Sequence, residues 1–144
     1  MKRPDLFLVL LLVPMLVLAK APSQAPRQNA VASGHFLATQ AGHKILAQGG
    51  NAFDAAIAVS AMLSVVEPIS SGIGGGGLFL LREAGTGRDV MIDARETAPH
   101  SATPDKFLDA GGQLDRDKSV NGPLSAGIPG LPAALVHLAR NYGR

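Results

Sequence analysis

The segment GGNAFDAAIAVSAMLSVVEP, residues 49–68, decides the fold because it specifies one helix together with both of its ends. Asn51 can cap the helix, and Asp54 three residues later completes a capping-box pattern. Residues 52–66 are almost all apolar or small, which predicts a helix that is buried on most of its faces. The helix should end before Pro68, because the residue that precedes a proline disfavours helical geometry.

The segments on either side of this helix predict a mixed α+β fold. Residues 37–48 have apolar side chains at helical spacing, and Gly49 can end that helix by adopting the left-handed conformation. Residues 78–82 and 90–94 predict the two strands of a hairpin. The other predicted elements are a short strand at 30–32, a short helix near 106–108 and a last helix over 131–142, with Gly143 as its cap.

The composition excludes several classes of protein. The 144 residues contain no cysteine, which excludes a disulfide scaffold, a cysteine-built metal site and a thiol nucleophile. The net charge is +2 and aromatic residues make up 4% of the chain. A nucleic-acid partner is therefore not expected, because such surfaces need a basic stripe or a stacking platform. The length suits one modest domain.

The first residues have the pattern of an export signal. Lys2 and Arg3 precede an uncharged apolar run over residues 6–18. That run is shorter than the roughly 20 residues that cross a bilayer, so a cleaved signal is favoured over an uncleaved membrane anchor. We expect a periplasmic location, with an extracellular or membrane-anchored protein as the alternative. The predicted organisation is a signal peptide over 1–19, a flexible lead-in over 20–29 and a domain over 30–144.

The glycine run GIGGGG, residues 72–77, formally satisfies a dinucleotide-binding pattern in the wrong context. A pyrophosphate site needs a strand before the glycines and a helix after them, whereas here a helix precedes and a strand follows. Four consecutive glycines instead remove the side chains that would block close approach. Packing against another backbone and contact with a ligand are both open on this pattern.

Other polar residues give no catalytic or metal-binding pattern. Ser125 has Pro123 where a nucleophile elbow needs glycine. Residues 115–118 alternate in charge and predict a solvated loop. The four histidines lack metal-ligand spacing and are expected at the surface or in local hydrogen bonds: His35, His43, His100 and His137.

Arg95 is the candidate for ligand recognition. It directly follows the apolar strand at 90–94, and Glu96 comes next. A guanidinium at a strand end can present two parallel donors to a carboxylate. An ordinary ion pair with a surface acid is the alternative, and the residues themselves leave both open.

An ordered set of segments resembles the gamma-glutamyltranspeptidase family. The likeness extends from about residue 30 to the end, and two departures, Phe36 and Phe53, replace a more usual proline and aliphatic residue. The segments that carry it are GGNAFDAA (49–56), EP (67–68), SGIGGGG (71–77) and DARETAP (93–99), with ATQAG (38–42) and GIPG (127–130) as weaker members.

The resemblance implies part of an N-terminal-nucleophile hydrolase with an αββα sandwich. Such enzymes are made as a precursor that cleaves itself, and this chain would be the N-terminal part of the large subunit. The N-terminal threonine of the small subunit would attack the gamma-glutamyl amide of glutathione or of other gamma-glutamyl compounds. The gamma-glutamyl group would pass to water or to an amino-acid or peptide acceptor. The resemblance implies no metal and no other cofactor.

The resemblance implies substrate-binding roles for two residues of this chain. Arg95 would bind the α-carboxylate of the glutamyl group, and Glu96 would help to hold its α-amine, while the family's acidic residue that binds the α-amine belongs to the small subunit. The glycine run would form a close-packed wall near the pocket. No catalytic residue is assigned within the chain, which alone is expected to be inactive. A cephalosporin-acylase-like or capsule-processing amidase, or a non-catalytic remnant, are the alternatives.

Overall fold

The computed structural model describes residues 29–144, which form four α-helices and one two-stranded sheet. The predicted mixed α+β class is therefore confirmed. The predicted signal peptide and all but the last residue of the predicted lead-in lie outside the described residues. The elements are α1 (Phe36–Ala47), α2 (Ala52–Val66), β1 (Gly77–Glu83), β2 (Arg88–Ala94), α3 (Arg116–Val120) and α4 (Leu131–Asn141), with short 3-10 helices at Pro104–Phe107 and Pro123–Ser125.

The predicted capping box at the start of α2 is confirmed. The Asn51 side-chain oxygen accepts hydrogen bonds from the backbone N–H of Phe53 at 2.8 Å and of Asp54 at 3.0 Å. The Asp54 carboxylate in turn accepts from the Asn51 backbone N–H at 2.9 Å. The Asn51 amide also donates to the Tyr142 carbonyl at 2.6 Å, so one residue both caps α2 and holds the end of α4.

Replacing Asn51 by alanine is expected to lower the free energy of unfolding by about 2 kcal/mol. The change removes both cap bonds and the bond to Tyr142. Chemical denaturation of the protein measures the effect. Asn141→Ala is the matched control, because the Asn141 amide bonds only within its own helix, to His137. Equal denaturation midpoints for the two variants would contradict the prediction.

Strands β1 and β2 form an antiparallel hairpin that confirms the prediction. Alternate side chains face the helices, and Leu81 and Ala94 on that face are each 6% exposed. The opposite face of the hairpin is open, with Leu80 76% exposed beside its cross-strand partner Met91. Only one face of the sheet is therefore covered within the described residues.

An ion pair closes the hairpin next to its turn. Glu83 and Arg88 stand opposite each other in the strand register, and their charged groups lie 2.6 Å apart. The Arg88 guanidinium lowers the pKa of the Glu83 carboxyl below its ordinary value, chiefly through this hydrogen bond. The carboxylate consequently stays ionised to lower pH.

In the core of the described residues, α1 packs against α2, and α4 packs against both α2 and strand β2. Leu138 of α4 is its one large side chain with no exposed surface. Helices α1 and α2 approach closely at Gly42, where a Cβ would lie 2.8 Å from Val59 Cγ2. The buried apolar residues are Ala38, Ala55, Leu81, Ala94, Leu131, Ala134 and Leu138.

The prediction that α2 is buried on most faces is wrong for the described residues. Ala55 alone of this helix is buried, and Val65 is 73% exposed. Apolar composition shows which surfaces are suited to burial, but burial also needs a neighbouring layer. Helices α1 and α4 cover only part of α2. No helix within residues 29–144 is both long and apolar enough to span a membrane.

Three local predictions are also corrected. Residues 30–32 are not a strand, because no ladder partner lies beside them in the described chain. Residues 115–118 are not a loop: Asp115 accepts hydrogen bonds from the backbone of Asp117 and Lys118 and thereby begins α3. Gly143 has no positive φ. A Cβ there would lie 2.6 Å from Asp54 Oδ1, so close approach explains this glycine instead.

Candidate functional site

Arg95 and Glu96 directly follow strand β2 and therefore lie at the end of the hairpin opposite its turn. Ala94, the last strand residue, is buried, which anchors the chain up to the position before Arg95. The Arg95 backbone N–H then donates to the Asp93 carboxylate at 3.0 Å and so leaves the strand ladder. The site begins where regular pairing stops.

Two glycines pack closely against the backbone that carries Arg95 and Glu96. A Cβ on Gly76 would lie 2.8 Å from Arg95 Cα and 2.9 Å from Glu96 N. A Cβ on Gly130 would lie 2.7 Å from the Ala94 carbonyl carbon and 2.8 Å from Arg95 O. Side chains essentially never make contacts this short, so glycine is required on both sides. We call Gly76 and Gly130 the glycine clamp.

Backbone hydrogen bonds hold the clamp together. Thr97 and Ile128 exchange two bonds, with the Thr97 N–H donating at 3.2 Å and the Ile128 N–H at 2.8 Å. The Leu131 N–H donates to the Gly75 carbonyl at 3.1 Å. The glycine run, the end of β2 and the start of α4 are therefore joined around the two candidate residues.

The Arg95 guanidinium is open to a ligand. Its side chain is 67% exposed, and its single ion pair is a 3.4 Å contact with the Glu96 carboxylate, whose side chain is 31% exposed. An exposed pair of this length contributes little to stability and leaves most guanidinium donors free. Among residues 29–144, Arg95 forms no ion pair with a more distant acid.

Two concavities meet at Arg95 and Glu96. One has a volume of about 500 Å³ and includes Phe107 and Leu124 in its wall. The other has a volume of about 400 Å³ and includes Ser71. These volumes suit a small molecule. A guanidinium beside a carboxylate matches a zwitterion, because it offers donors to a carboxylate and an acceptor to an ammonium group.

The other candidate residues do not join this site as catalytic groups. The Ser125 hydroxyl lies along the larger of the two concavities and donates to the Gly122 carbonyl at 2.6 Å. His35 instead caps α1, and His137 contacts Asn141 in its own helix. Within the described residues no cluster of three or more potential metal ligands occurs. A larger groove of about 710 Å³ between residues 29–32 and α2 lies apart from Arg95.

The glycine run packs at only part of its length. Gly75 and Gly76 lie against the segment that carries Arg95 and Glu96, whereas a Cβ on Gly72 or Gly74 would meet nothing within 4 Å. Close packing of the glycine run is therefore confirmed at Gly75 and Gly76. Gly130, the second side of the clamp, is not predicted by its spacing, although the pattern GIPG at residues 127–130 is among the family segments.

A comparison with protein families assigns the chain. The sequence model described as gamma-glutamyltranspeptidase matches residues 38–144, which is most of the chain. The chain belongs to the gamma-glutamyltranspeptidase family. The resemblance inferred from the ordered motifs is thereby confirmed.

Several curated relatives of this chain are named glutathione hydrolase proenzyme. The Escherichia coli (strain K12) protein is 44% identical over 117 residues, which are 81% of this chain and 20% of the relative. The Bacillus subtilis (strain 168) protein is 40% identical over 118 residues, again 81% of this chain and 20% of the relative. The chain thus spans about a fifth of the length of these relatives.

Solved structures share its fold. Helicobacter pylori gamma-glutamyltranspeptidase is 40% identical, with a TM-score of 0.77 over 85% of this chain and 35% of that chain. A cephalosporin acylase from Bacillus halodurans is 32% identical, with a TM-score of 0.64 over 86% of this chain and 24% of that chain. Similar folds therefore occur in proteins with different named activities.

Proposed function

We propose that this chain is the N-terminal part of the large subunit of an exported gamma-glutamyltransferase and glutathione hydrolase. The observation that carries the proposal is the guanidinium–carboxylate pair of Arg95 and Glu96, held at a strand end by the glycine clamp in a member of this family. In this proposal Arg95 binds the α-carboxylate of the gamma-glutamyl group, and Glu96 helps to hold its α-ammonium group together with an acidic residue of the small subunit. The proenzyme names of the relatives support a precursor that divides into two subunits.

The reaction divides into two steps in this proposal. The N-terminal threonine of the small subunit attacks the gamma-carbonyl carbon, forms an ester and releases the amine with the proton that the hydroxyl gave up. Water or an amino-acid or peptide acceptor then cleaves the ester and regenerates the hydroxyl. Arg95 and Glu96 hold the amino-acid end of the donor so that its gamma-carbonyl meets the nucleophile. The chemistry belongs to polypeptide beyond residues 29–144.

The exposed apolar surfaces support an αββα sandwich in the complete protein. The outer face of the hairpin, which includes Leu80 and Met91, and the exposed side of α2 are suited to packing against further layers. The small subunit of the same precursor is the proposed partner for these surfaces. Because the nucleophilic threonine belongs to the small subunit in this proposal, residues 1–144 alone are expected to hydrolyse no gamma-glutamyl compound.

The test expresses the full-length protein and the piece 1–144 in parallel. We expect the full-length protein to divide into two subunits and to release p-nitroaniline from gamma-glutamyl-p-nitroanilide, and we expect the piece to release none. A full-length protein that hydrolyses glutaryl amides in preference would instead indicate the acylase activity named for one structural neighbour. A protein inactive on both, or a piece that is active alone, would contradict the proposal.

The proposed location is the periplasm. The basic start of the chain followed by the apolar run at residues 6–18 supports a cleaved signal peptide over 1–19. N-terminal sequencing of the exported protein tests this, with cleavage after Ala19 as the expected result and an intact Met1 as the contrary one.

A further inference from the structure

The start of α2 holds the end of α4 as well as its own first turn. The Asn51 side-chain amide donates to the Tyr142 carbonyl at 2.6 Å, while the oxygen of the same side chain caps α2. The Asp54 carboxylate accepts a hydrogen bond from the backbone N–H of Arg144 at 3.2 Å. We call Asn51 and Asp54, which hold residues 142–144 in this way, the helix latch.

Close packing at the helix latch fixes the position of the end of α4. A Cβ on Gly143 would lie 2.6 Å from Asp54 Oδ1 and 2.7 Å from Ala139 O, so the chain approaches Asp54 here only because it has no side chain. The rings of Phe53 and Tyr142 also pack together, with centroids 5.3 Å apart. Helix α4 therefore cannot slide along its axis without breaking these contacts.

The other end of α4 forms one side of the glycine clamp. Gly130 directly precedes α4 and packs against the backbone of Ala94 and Arg95. Leu131, the first residue of α4, donates its N–H to the Gly75 carbonyl at 3.1 Å. Because α4 has 11 residues, it is about 16 Å long. One short helix thus joins the helix latch to the glycine clamp.

Burial along α4 transmits the position of one end to the other. Leu131, Ala134 and Leu138 are each at most 6% exposed, and α4 packs against both α2 and strand β2. Since packed interiors have little free space, a helix in this setting moves as a unit. At Gly130 a Cβ would already lie 2.7 Å from the Ala94 carbonyl carbon. A displacement of α4 towards the strand end must therefore move the backbone that leads into the candidate site.

We infer that Asn51 and Asp54 are positioning residues that act through α4 on the backbone that carries Arg95. They lie at the opposite end of α4 from Arg95 and contribute no atom to the reaction. Their effect on catalysis rests on the proposed function, in which Arg95 binds the donor. Their effect on the glycine clamp can be measured separately, because the hydrogen bonds of the clamp exist without substrate.

Hydrogen–deuterium exchange of the full-length protein tests the coupling without a substrate. Asn51→Ser keeps the helix cap, because serine caps a helix about as well as asparagine, but it removes the donor to the Tyr142 carbonyl. We expect the amides of Ile128 and Leu131, which are hydrogen-bonded across the clamp, to exchange about fivefold faster in this variant.

Steady-state kinetics with gamma-glutamyl-p-nitroanilide tests the effect on the site. Asn51→Ser should raise KM about fivefold and leave kcat within about twofold, because the change displaces a binding residue and leaves the nucleophile in place. Gly143→Ala should also raise KM, since its Cβ disturbs the latch from the side of Asp54.

Two matched controls accompany both measurements. Tyr142→Phe keeps the backbone carbonyl that Asn51 binds and the ring that packs on Phe53. Ser33→Ala removes side-chain hydrogen bonds that are confined to the start of α1, so it costs similar stability without touching the latch. Both controls should keep the wild-type KM and the wild-type exchange at Ile128 and Leu131.

The results separate the latch from the proposed function. If Asn51→Ser does not fold, Gly143→Ala gives the same two measurements. Wild-type exchange or a wild-type KM in a folded latch variant overturns the inference and leaves the proposed function standing. Equal changes in Ser33→Ala indicate general loosening of the fold and also overturn the inference. An inactive wild-type enzyme overturns the proposed function and, with it, the effect of the latch on catalysis.

Discussion

Replacing Arg95 by lysine in the full-length enzyme is expected to raise KM for a gamma-glutamyl donor about 30-fold, with a smaller change in kcat. The guanidinium can donate two parallel hydrogen bonds to the α-carboxylate, and a lysine ammonium is a point charge that cannot reproduce this geometry. Arg95 meets the requirement for such a contact because it is 67% exposed and has only one weak internal partner. Steady-state kinetics with gamma-glutamyl-p-nitroanilide measures the effect.

Arg82→Lys provides the matched control for this experiment. Arg82 is an exposed arginine of the same hairpin, and both hydrogen bonds of its guanidinium nitrogen go to Asp89. Its replacement should leave KM within about twofold, since surface ion pairs contribute little. An Arg95→Lys enzyme with the KM of the control would remove Arg95 from the binding site.

Replacing Gly76 by alanine is expected to lower the free energy of unfolding by about 3 kcal/mol or to prevent folding. The new Cβ would lie 2.8 Å from Arg95 Cα and 2.9 Å from Glu96 N, and these backbone atoms cannot turn aside as a side chain can. The Thr97–Ile128 bonds and the Leu131–Gly75 bond hold the same segments in place. The melting temperature and yield of the full-length protein measure the loss.

The controls for Gly76 come from the same glycine run. A Cβ on Gly72 or Gly74 would meet nothing within 4 Å, so alanine at either position should change the melting temperature only slightly. The comparison separates the packing role of one glycine from the general flexibility of the run. If all three variants have the same melting temperature, the glycine clamp does not depend on Gly76.

Local chemistry made α2 predictable. Asn51 and Asp54 satisfy the helix start within four residues, and Pro68 limits its end, so neither boundary depends on the rest of the protein. The hairpin was predictable for a similar reason, because its strands are short, close in sequence and joined by glycines. Arg95 could be placed at a strand end once β2 had been located.

The errors arose where a pattern had two local solutions or needed a partner. Residues 115–118 alternate in charge, which suits a solvated loop, but Asp115 is also a good helix cap and the structure uses it so. Residues 30–32 have strand-forming side chains, but a strand exists only when another backbone completes the ladder. The burial of α2 likewise depends on layers that its own composition cannot supply.

By itself, the sequence determined the helices, the hairpin, the position of Arg95 beside Glu96 and, through the order of its motifs, the family. Only the tertiary structure decided that Gly76 and Gly130 pack against the backbone of this pair and that Asn51 and Asp54 hold the end of α4. The physical reason is that spacing along the chain reports neighbours within a few turns or across a hairpin. The site instead joins three separate segments. A glycine in the sequence shows that a side chain is absent there, but it does not show which backbone segment occupies the space.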